Sequence, residues 1–286
     1  MAIDFKPQLL MYESLMFLVV QGIALATGAS LVSSGQVIVP PPEGGFTRLG
    51  QFLIAFLIAF VLIILILKLL KTPLTFNIFF AFLIFVGAQV VFNAFLPLIV
   101  SILLAIAVVA IRWRKPNLIT HNIAIFLGVA GVSALLGTAL RPWPEIIILL
   151  IALSIYDFIA VFKTKIMVSL FKELLKRGAP LAIIVPEHPT QFITSVKKVS
   201  RQKLKETDKK VLMLGTGDLA FPALFAVSAL TDGVAPALAV VVGSIVGLVF
   251  NHYLMMVKKF RFIPALPFIA LFSIISYVIA VLPRIF

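Results

Sequence analysis

Cysteine is absent from the 286 residues, which excludes disulfides, thiolate metal sites and cysteine nucleophiles. Histidine is nearly absent: His121, His188 and His252 show no H-x-x-x-H spacing and give no basis for a zinc centre. No metal and no cofactor is expected. Charge is scarce at 12% of residues, and acidic charge is scarcest, with 11 Asp and Glu against 24 Lys and Arg. A soluble domain of this length needs far more polar surface. A net charge of +13 would suit nucleic acid if it were gathered in a patch, but the basic residues flank apolar runs, so no nucleic acid is expected as a partner. Asp4, Lys6 and Glu13, set in weak hydrophobicity, do not make a cleavable signal peptide, and the first apolar run is expected to be retained.

What the chain has in abundance is hydrophobic sequence, 62% of residues with a mean hydropathy of +1.18. Nine runs are long enough to cross a bilayer: 15–33, 52–70, 76–96, 97–113, 119–140, 144–162, 211–231, 234–257 and 262–282. The expected fold is all-α, a polytopic membrane protein with nine transmembrane helices. Basic residues collect on the cytoplasmic side of spanning proteins. With nine spans and the N-terminus inside, 21 of the 24 basic residues fall in cytoplasmic segments, leaving only Arg48, Arg141 and Arg284 outside. With the long segment 163–210 set aside, the split is still 9 to 3. The N-terminus is therefore expected in the cytoplasm and the C-terminus outside.

This count divides the chain into an N-terminal membrane part, 1–162, a cytoplasmic loop, 163–210, and a C-terminal membrane part, 211–286. In the loop, Ile166, Leu170, Phe171, Leu174 and Leu175 alternate with Lys165, Lys172, Glu173, Lys176 and Arg177, the pattern of a helix lying on an anionic surface. Gly178-Ala179-Pro180 ends it. Leu181 to Val185 is short and β-prone, and 187–210 is polar and basic. No internal repeat of the kind that builds duplicated-half transporters is visible.

Against this background two acids stand out, Asp157 in Ser-Ile-Tyr-Asp-Phe and Asp218 in Gly-Thr-Gly-Asp. A carboxylate deep in an apolar span costs at least ~2.5 kcal/mol on insertion scales, so its default reading is functional. Asp157 precedes Lys163 by six residues and Asp218 follows Lys210 by eight, which on helices rising 1.5 Å per residue puts them ~9 and ~12 Å from the same boundary. Asp218 is expected well inside a helix that starts just after Lys210, with Leu214 and Gly215 one turn before it. The face carrying Asp157 includes Ser154, Ala160 and Val161. Small residues there permit close helix approach. Gly217 leaves backbone open to a ligand. Two carboxyls held close cannot both ionise cheaply, so they share a proton, as in the aspartic proteases. One then removes a proton from water while the other donates to the developing oxyanion of a peptide carbonyl. An ion or proton transporter using the same acids as a relay is the alternative.

Tyr156-Asp157, Gly215-Thr216-Gly217-Asp218 and Pro264-Ala265-Leu266, in that order, resemble the Y-D, G-x-G-D and P-A-L motifs of the presenilin and signal peptide peptidase family of intramembrane aspartyl proteases. Pro-Ala-Leu also occurs at 222–224 and 236–238, and only 264–266 directly follows the cytoplasmic Lys258, Lys259 and Arg261. The resemblance implies hydrolysis of peptide bonds within transmembrane segments, with Asp157 and Asp218 catalytic and Tyr156, Gly215, Thr216, Gly217, Pro264, Ala265 and Leu266 lining the site. It also implies transmembrane proteins or peptides as substrates in a lipid bilayer, with homo-oligomerisation left open. Presenilins have the N-terminus in the cytoplasm and signal peptide peptidases the reverse, so the charge count favours the presenilin sense and substrate helices with their N-terminus outside. The lack of Cys and of eukaryotic targeting signals fits a prokaryotic plasma membrane.

A substrate helix hides its carbonyls in its own hydrogen bonds and must unwind before hydrolysis. Leu181 to Val185 and Val211 to Leu214 are either strand edges that pair with the unwound segment or an ordinary loop and helix start. On the strand reading, replacing Leu212 by Pro spares folding and impairs cleavage. Gln89, Asn93, His121, Asn122, Asn251 and His252 are expected to bond neighbouring helices. Gly243-x-x-x-Gly247 is expected to be a packing face, and Asp232 lies at an outer end, away from the site.

Overall fold

The structure is a computed structural model. It describes residues 7–35, 50–51, 53–55, 57–58, 61–62, 65, 73–163, 181–186, 189–196, 211–258 and 264–284. Besides helical residues between 50 and 65 and a few short 3-10 and π turns, these residues form α1 (Pro7–Ser33), α2 (Pro73–Asn93), α3 (Leu98–Arg114), α4 (Leu118–Ala139), α5 (Ile147–Phe162), β1 (Ala182–Pro186), β2 (Val211–Gly215), α6 (Thr216–Ser228), α7 (Val234–Lys258) and α8 (Leu266–Val281), the two strands pairing in one sheet. Among the described residues, four helical stretches are long and apolar enough to cross a membrane: Pro7–Ser33, Leu118–Ala139, Pro142–Phe162 and Val234–Met255. Described residues of the expected second span, Ile54 and Leu57 among them, are helical. Of the amphipathic helix expected at 163–177 only residue 163 is described, and of the polar stretch 187–210 only 189–196, where Pro189–Ile193 form a short 3-10 turn; the rest lies outside the described residues.

The burial pattern is that of a protein solvated by lipid. Large aliphatics point outward, including Ile99, Leu103, Val242 and Ile279, while polar side chains such as Gln21, Ser101, Asn122, Ser133, Ser244, Asn251 and Ser273 are buried. Lipid tails are as apolar as leucine, so helix association rests on close packing and interhelical hydrogen bonds. Gln21 of α1 donates to Ser244 Oγ of α7 at 2.7 Å, and Ser133 of α4 donates to the Ala220 carbonyl of α6 at 3.0 Å. Glycines let the backbones meet. A Cβ on Gly87 would strike the Gly128 backbone, drawing α2 onto α4, and a Cβ on Gly247 would stand 2.6 Å from the Phe268 carbonyl oxygen. Gly243 meets Phe272 in the same way, so the small-residue face of α7 is where α8 seats.

The seventh apolar run is not one helix. Its first five residues form β2, and α6 begins only at Thr216, so Asp218 stands in the first helical turn rather than two turns inside. Leu214 and Gly215 correspondingly lie on a strand. β2 pairs antiparallel with β1, Ala182 opposite Gly215 and Ile184 opposite Met213. Irregular backbone at membrane depth is tolerated only where protein or water satisfies it. Every β1 residue is buried, and its outer edge is met by α4: Asn122 Nδ2 donates to the Ile184 carbonyl at 2.8 Å, and Asn122 Oδ1 accepts from the Ile184 N–H at 3.0 Å. His121 Nε2 lies 3.1 Å from the Ala182 carbonyl oxygen. His121 and Asn122 were expected to bond neighbouring helices, and they hold a strand instead. Thr216 N–H completes the sheet by donating to the Leu181 carbonyl at 3.0 Å.

α6 occupies the centre of the bundle, packed by α1, α4, α7 and α8. Its residues Leu219, Ala223, Phe225 and Ala226 are fully enclosed. α5 is held mainly by α8, and Ile151, Ile155, Phe158 and Ile159 face outward.

Candidate active site

Asp218 owes its place to the local chemistry of Gly-x-Gly-Asp. Gly215 is the N-cap of α6 and Asp218 the third helical residue, and the Gly215 N–H donates back to the Asp218 carboxyl. This is one half of a capping box, in which an acid at the third position satisfies a helix-start N–H that has no intrahelical partner. The Gly215 backbone (φ −62°, ψ 147°) suits any residue. Its glycine is required by space, because a Cβ there would stand 3.2 Å from Asp218 Oδ2. Gly217 is exposed, and a Cβ on it would meet only Phe221, at an ordinary 3.7 Å. We expect Gly215→Ala to lower the cleavage rate by about 10- to 100-fold through displacement of the carboxyl, with thermal stability in detergent nearly unchanged. Gly217→Ala should leave stability unchanged, and a rise in KM for transmembrane substrates would place substrate backbone over this exposed position.

Asp157 is buried on α5, 8% exposed, and its carboxyl accepts a hydrogen bond from the Leu266 N–H. Leu266 is the first residue of α8, so this donor too is an orphan of a helix start. Pro264, Ala265 and Leu266 are all buried. Of the other Pro-Ala-Leu copies, 222–224 is inside α6 and 236–238 in the first turn of α7. The two carboxyls, each met by a backbone N–H, lie within electrostatic reach of one another. Tyr156 is 48% exposed on the outward side of α5 and does not share the inward direction of Asp157. Thr216 anchors the sheet through its backbone. Among the described residues no group of three His, Cys, Asp or Glu is placed to hold a metal ion. Asp232 lies apart, its Oδ2 accepting from Tyr277 Oη at 2.6 Å.

Sequence reasoning overlooked one feature of the site. Glu13 of α1, 1% exposed, lies within electrostatic reach of Asp218, and its Oε2 is 2.9 Å from His252 Nε2 of α7. The available signal was the acid itself, six residues into α1.

A helical membrane bundle with two backbone-cradled carboxyls within electrostatic reach of one another is the arrangement expected of membrane-embedded proteins that use an acidic pair. The comparisons then specify it. The family model "Signal-peptide peptidase, presenilin aspartyl protease" matches residues 14–285, and the chain belongs to that family. It is an integral membrane protein and an intramembrane aspartyl protease. Two solved structures of a presenilin family intramembrane aspartate protease share the fold. One, in space group C222, is 24% identical with a TM-score of 0.65, covering 96% of this chain and 99% of its own. The other, in P2, is 24% identical with a TM-score of 0.64, covering 94% and 96%. No curated protein sequence matches the chain significantly.

Proposed function

We propose that Asp157 and Asp218 are the catalytic dyad of a G-x-G-D-type endopeptidase that hydrolyses peptide bonds within transmembrane segments. The observation that carries this reading is the convergence of two carboxyls from different helices, each held by a helix-start N–H. One proton is shared, because two like charges this close cannot both be carried cheaply. The ionised carboxyl takes a proton from a water, the water oxygen bonds to the scissile carbonyl carbon, and the protonated carboxyl donates to the carbonyl oxygen as it gains charge. Collapse of the tetrahedral species returns a proton to the leaving nitrogen and frees the two chain ends. Gly215, Thr216, Gly217, Pro264, Ala265 and Leu266 shape the surroundings of the pair, with Tyr156 on the lipid-facing side of α5.

The substrate docks as a strand on β2. Pairing alternates along an antiparallel ladder, and since Ile184 gives both its groups to Asn122, the Ile184–Met213 pair is one that does not exchange hydrogen bonds. The Met213 N–H and C=O therefore point away from β1, along the edge that leads to Asp218. This revises the sequence-based test, because Leu212 faces Val185 within the ladder and Leu212→Pro would damage the fold itself.

The chain crosses the membrane nine times, with the N-terminus in the cytoplasm and the C-terminus outside, in a prokaryotic plasma membrane. The charge distribution supports this. Substrate helices accordingly have their N-terminus outside. The test uses protein purified in detergent, single-span reporters of both orientations, and Asp157→Ala and Asp218→Ala variants. Wild type should cleave the N-out reporters, and neither variant should. Cleavage surviving in either variant would overturn the dyad, and cleavage confined to N-in reporters would overturn the topology. Ion flux in vesicles that persists without peptide hydrolysis would favour a relay.

A further inference from the structure

We propose that Glu13 and His252 form a buried, charge-balanced pair that sets the protonation of the Asp157–Asp218 dyad, Glu13 presenting its carboxyl to Asp218 and His252 governing how much negative charge that carboxyl carries. The inference rests on the dyad reading and adds a third carboxyl to it. Neither residue is catalytic, since each acts through Asp218.

The placement is tertiary. α1 packs on both α6 and α7, and Tyr12 and Met16, which flank Glu13 in the sequence, join the same apolar cluster as Leu214 and Leu219 on either side of the Gly-x-Gly-Asp turn. Glu13 is thereby buried in the bundle on a helix that packs on α6, within electrostatic reach of Asp218. His252 fixes its charge. Its Nδ1 lies 3.1 Å from the Leu248 carbonyl oxygen, which can only accept, so Nδ1 carries a hydrogen. Nε2 then faces a carboxyl oxygen at 2.9 Å. Two lone pairs would repel there, so one proton resides in the pair, on the imidazole or on the carboxyl. The N–O direction lies off the ring N–H axis, so the contact is a close electrostatic pairing of imidazole and carboxyl rather than a well-directed hydrogen bond. With its single proton the pair has no net charge, which makes its burial beside two acids tolerable. Its carboxyl lies within electrostatic reach of Asp218.

Other titratable groups on the elements packed against α1 are few. α4 contributes His121, engaged with the Ala182 carbonyl; α6 contributes Asp218, with Asp157 beyond it on α5; α7 adds the exposed Tyr253 and, as its last residue, Lys258; α1 itself has Tyr12. α2, β1 and β2 contain no titratable residue. Glu13 is thus the one carboxyl outside the dyad, among the described residues of these elements, that is positioned to act on Asp218.

The test is the pH dependence of kcat/KM for a single-span reporter, each profile normalised to its own maximum, in Glu13→Gln, His252→Gln, the double variant and Glu13→Asp. His252→Gln leaves the Glu13 carboxylate without its cation, and the uncompensated negative charge holds the dyad's proton more tightly. The alkaline limb should move up by about one pH unit. Glu13→Gln removes that charge and should move the limb down. The double variant should follow Glu13→Gln, because His252 acts through Glu13. Glu13→Asp keeps the charge and should stay near wild type, and His252→Asn, which should move the limb as His252→Gln does, stands in if a glutamine variant fails to fold. Profiles unmoved when His252 or Glu13 is neutralised, a Glu13→Asp profile that shifts as far as Glu13→Gln, or a double variant that follows His252→Gln, would overturn the inference. Asp157→Asn and Asp218→Asn run alongside distinguish the two failures: residual activity there defeats the dyad, whereas dead aspartate variants with unmoved Glu13 and His252 profiles defeat only the pair.

Discussion

Asp157→Asn and Asp218→Asn should each reduce cleavage of a transmembrane substrate by about 10⁴-fold or to background, with almost no change in thermal unfolding. The isosteric amide explains both halves of the expectation. Asn at 218 still offers an oxygen to the Gly215 N–H, and Asn at 157 still offers one to the Leu266 N–H, so the helix starts keep their partners. What disappears is the proton that the pair shares. Residues that act as a unit are not additive, so the double variant should be no slower than either single one. The pH profile of the wild type should be bell-shaped, with two apparent values that belong to the pair and not to either aspartate. Stopped assays over pH 4–9 with a fluorogenic single-span peptide would measure this. A single variant keeping a tenth of the wild-type rate would reassign the chemistry.

Met213→Pro should lower kcat/KM for a transmembrane substrate by about tenfold or more while leaving the thermal midpoint close to wild type. Proline removes a backbone N–H, and at an outward position of an edge strand that donor serves no internal ladder. Losing one hydrogen bond to the substrate, together with the clash of the ring at the pairing edge, accounts for the effect. Leu212→Pro is the contrasting control. Leu212 lies opposite Val185, whose backbone is buried, and its loss would leave an unpaired acceptor costing about 1–3 kcal/mol of stability. The pair of variants separates substrate docking from folding: equal effects on stability, or unchanged cleavage in Met213→Pro, would remove the strand-pairing step.

These two expectations differ in how far the sequence alone supports them. The aspartates were legible because charge is rare in the chain, and a rare charge in an apolar run must have a reason. The bundle was legible too: the apolar runs at 15–33, 119–140 and 234–257 correspond to α1, α4 and α7 within a few residues at most ends, α1 starting eight residues earlier. Spanning helices declare themselves by length. The glycine face at Gly243 and Gly247 was readable for a similar reason, since small residues at that spacing serve close contact in lipid.

The strand at Val211–Gly215 was not legible as such. An apolar run of five residues that continues into an apolar helix has no period to mark the change, so Val211–Leu214 read equally well as a helix start. A partner decides the matter. β1 supplies the ladder, and Asn122, more than sixty positions before Ile184, satisfies the outer edge of β1. The register that turns Met213 outward follows from that one amide.

By itself the sequence determined that this is a helical membrane protein, and it marked two acids as the costly groups around which a site must form. Rare charge and long apolar runs are properties of composition and order, visible before folding. Only the tertiary structure decided that Asp218 sits in a first helical turn, that Leu266 of the third Pro-Ala-Leu meets Asp157, and that Glu13 and His252, from opposite ends of the chain, stand beside the pair. Those are distances between helices, and helix packing in lipid depends on which small faces fit together, information that no single stretch of the chain contains.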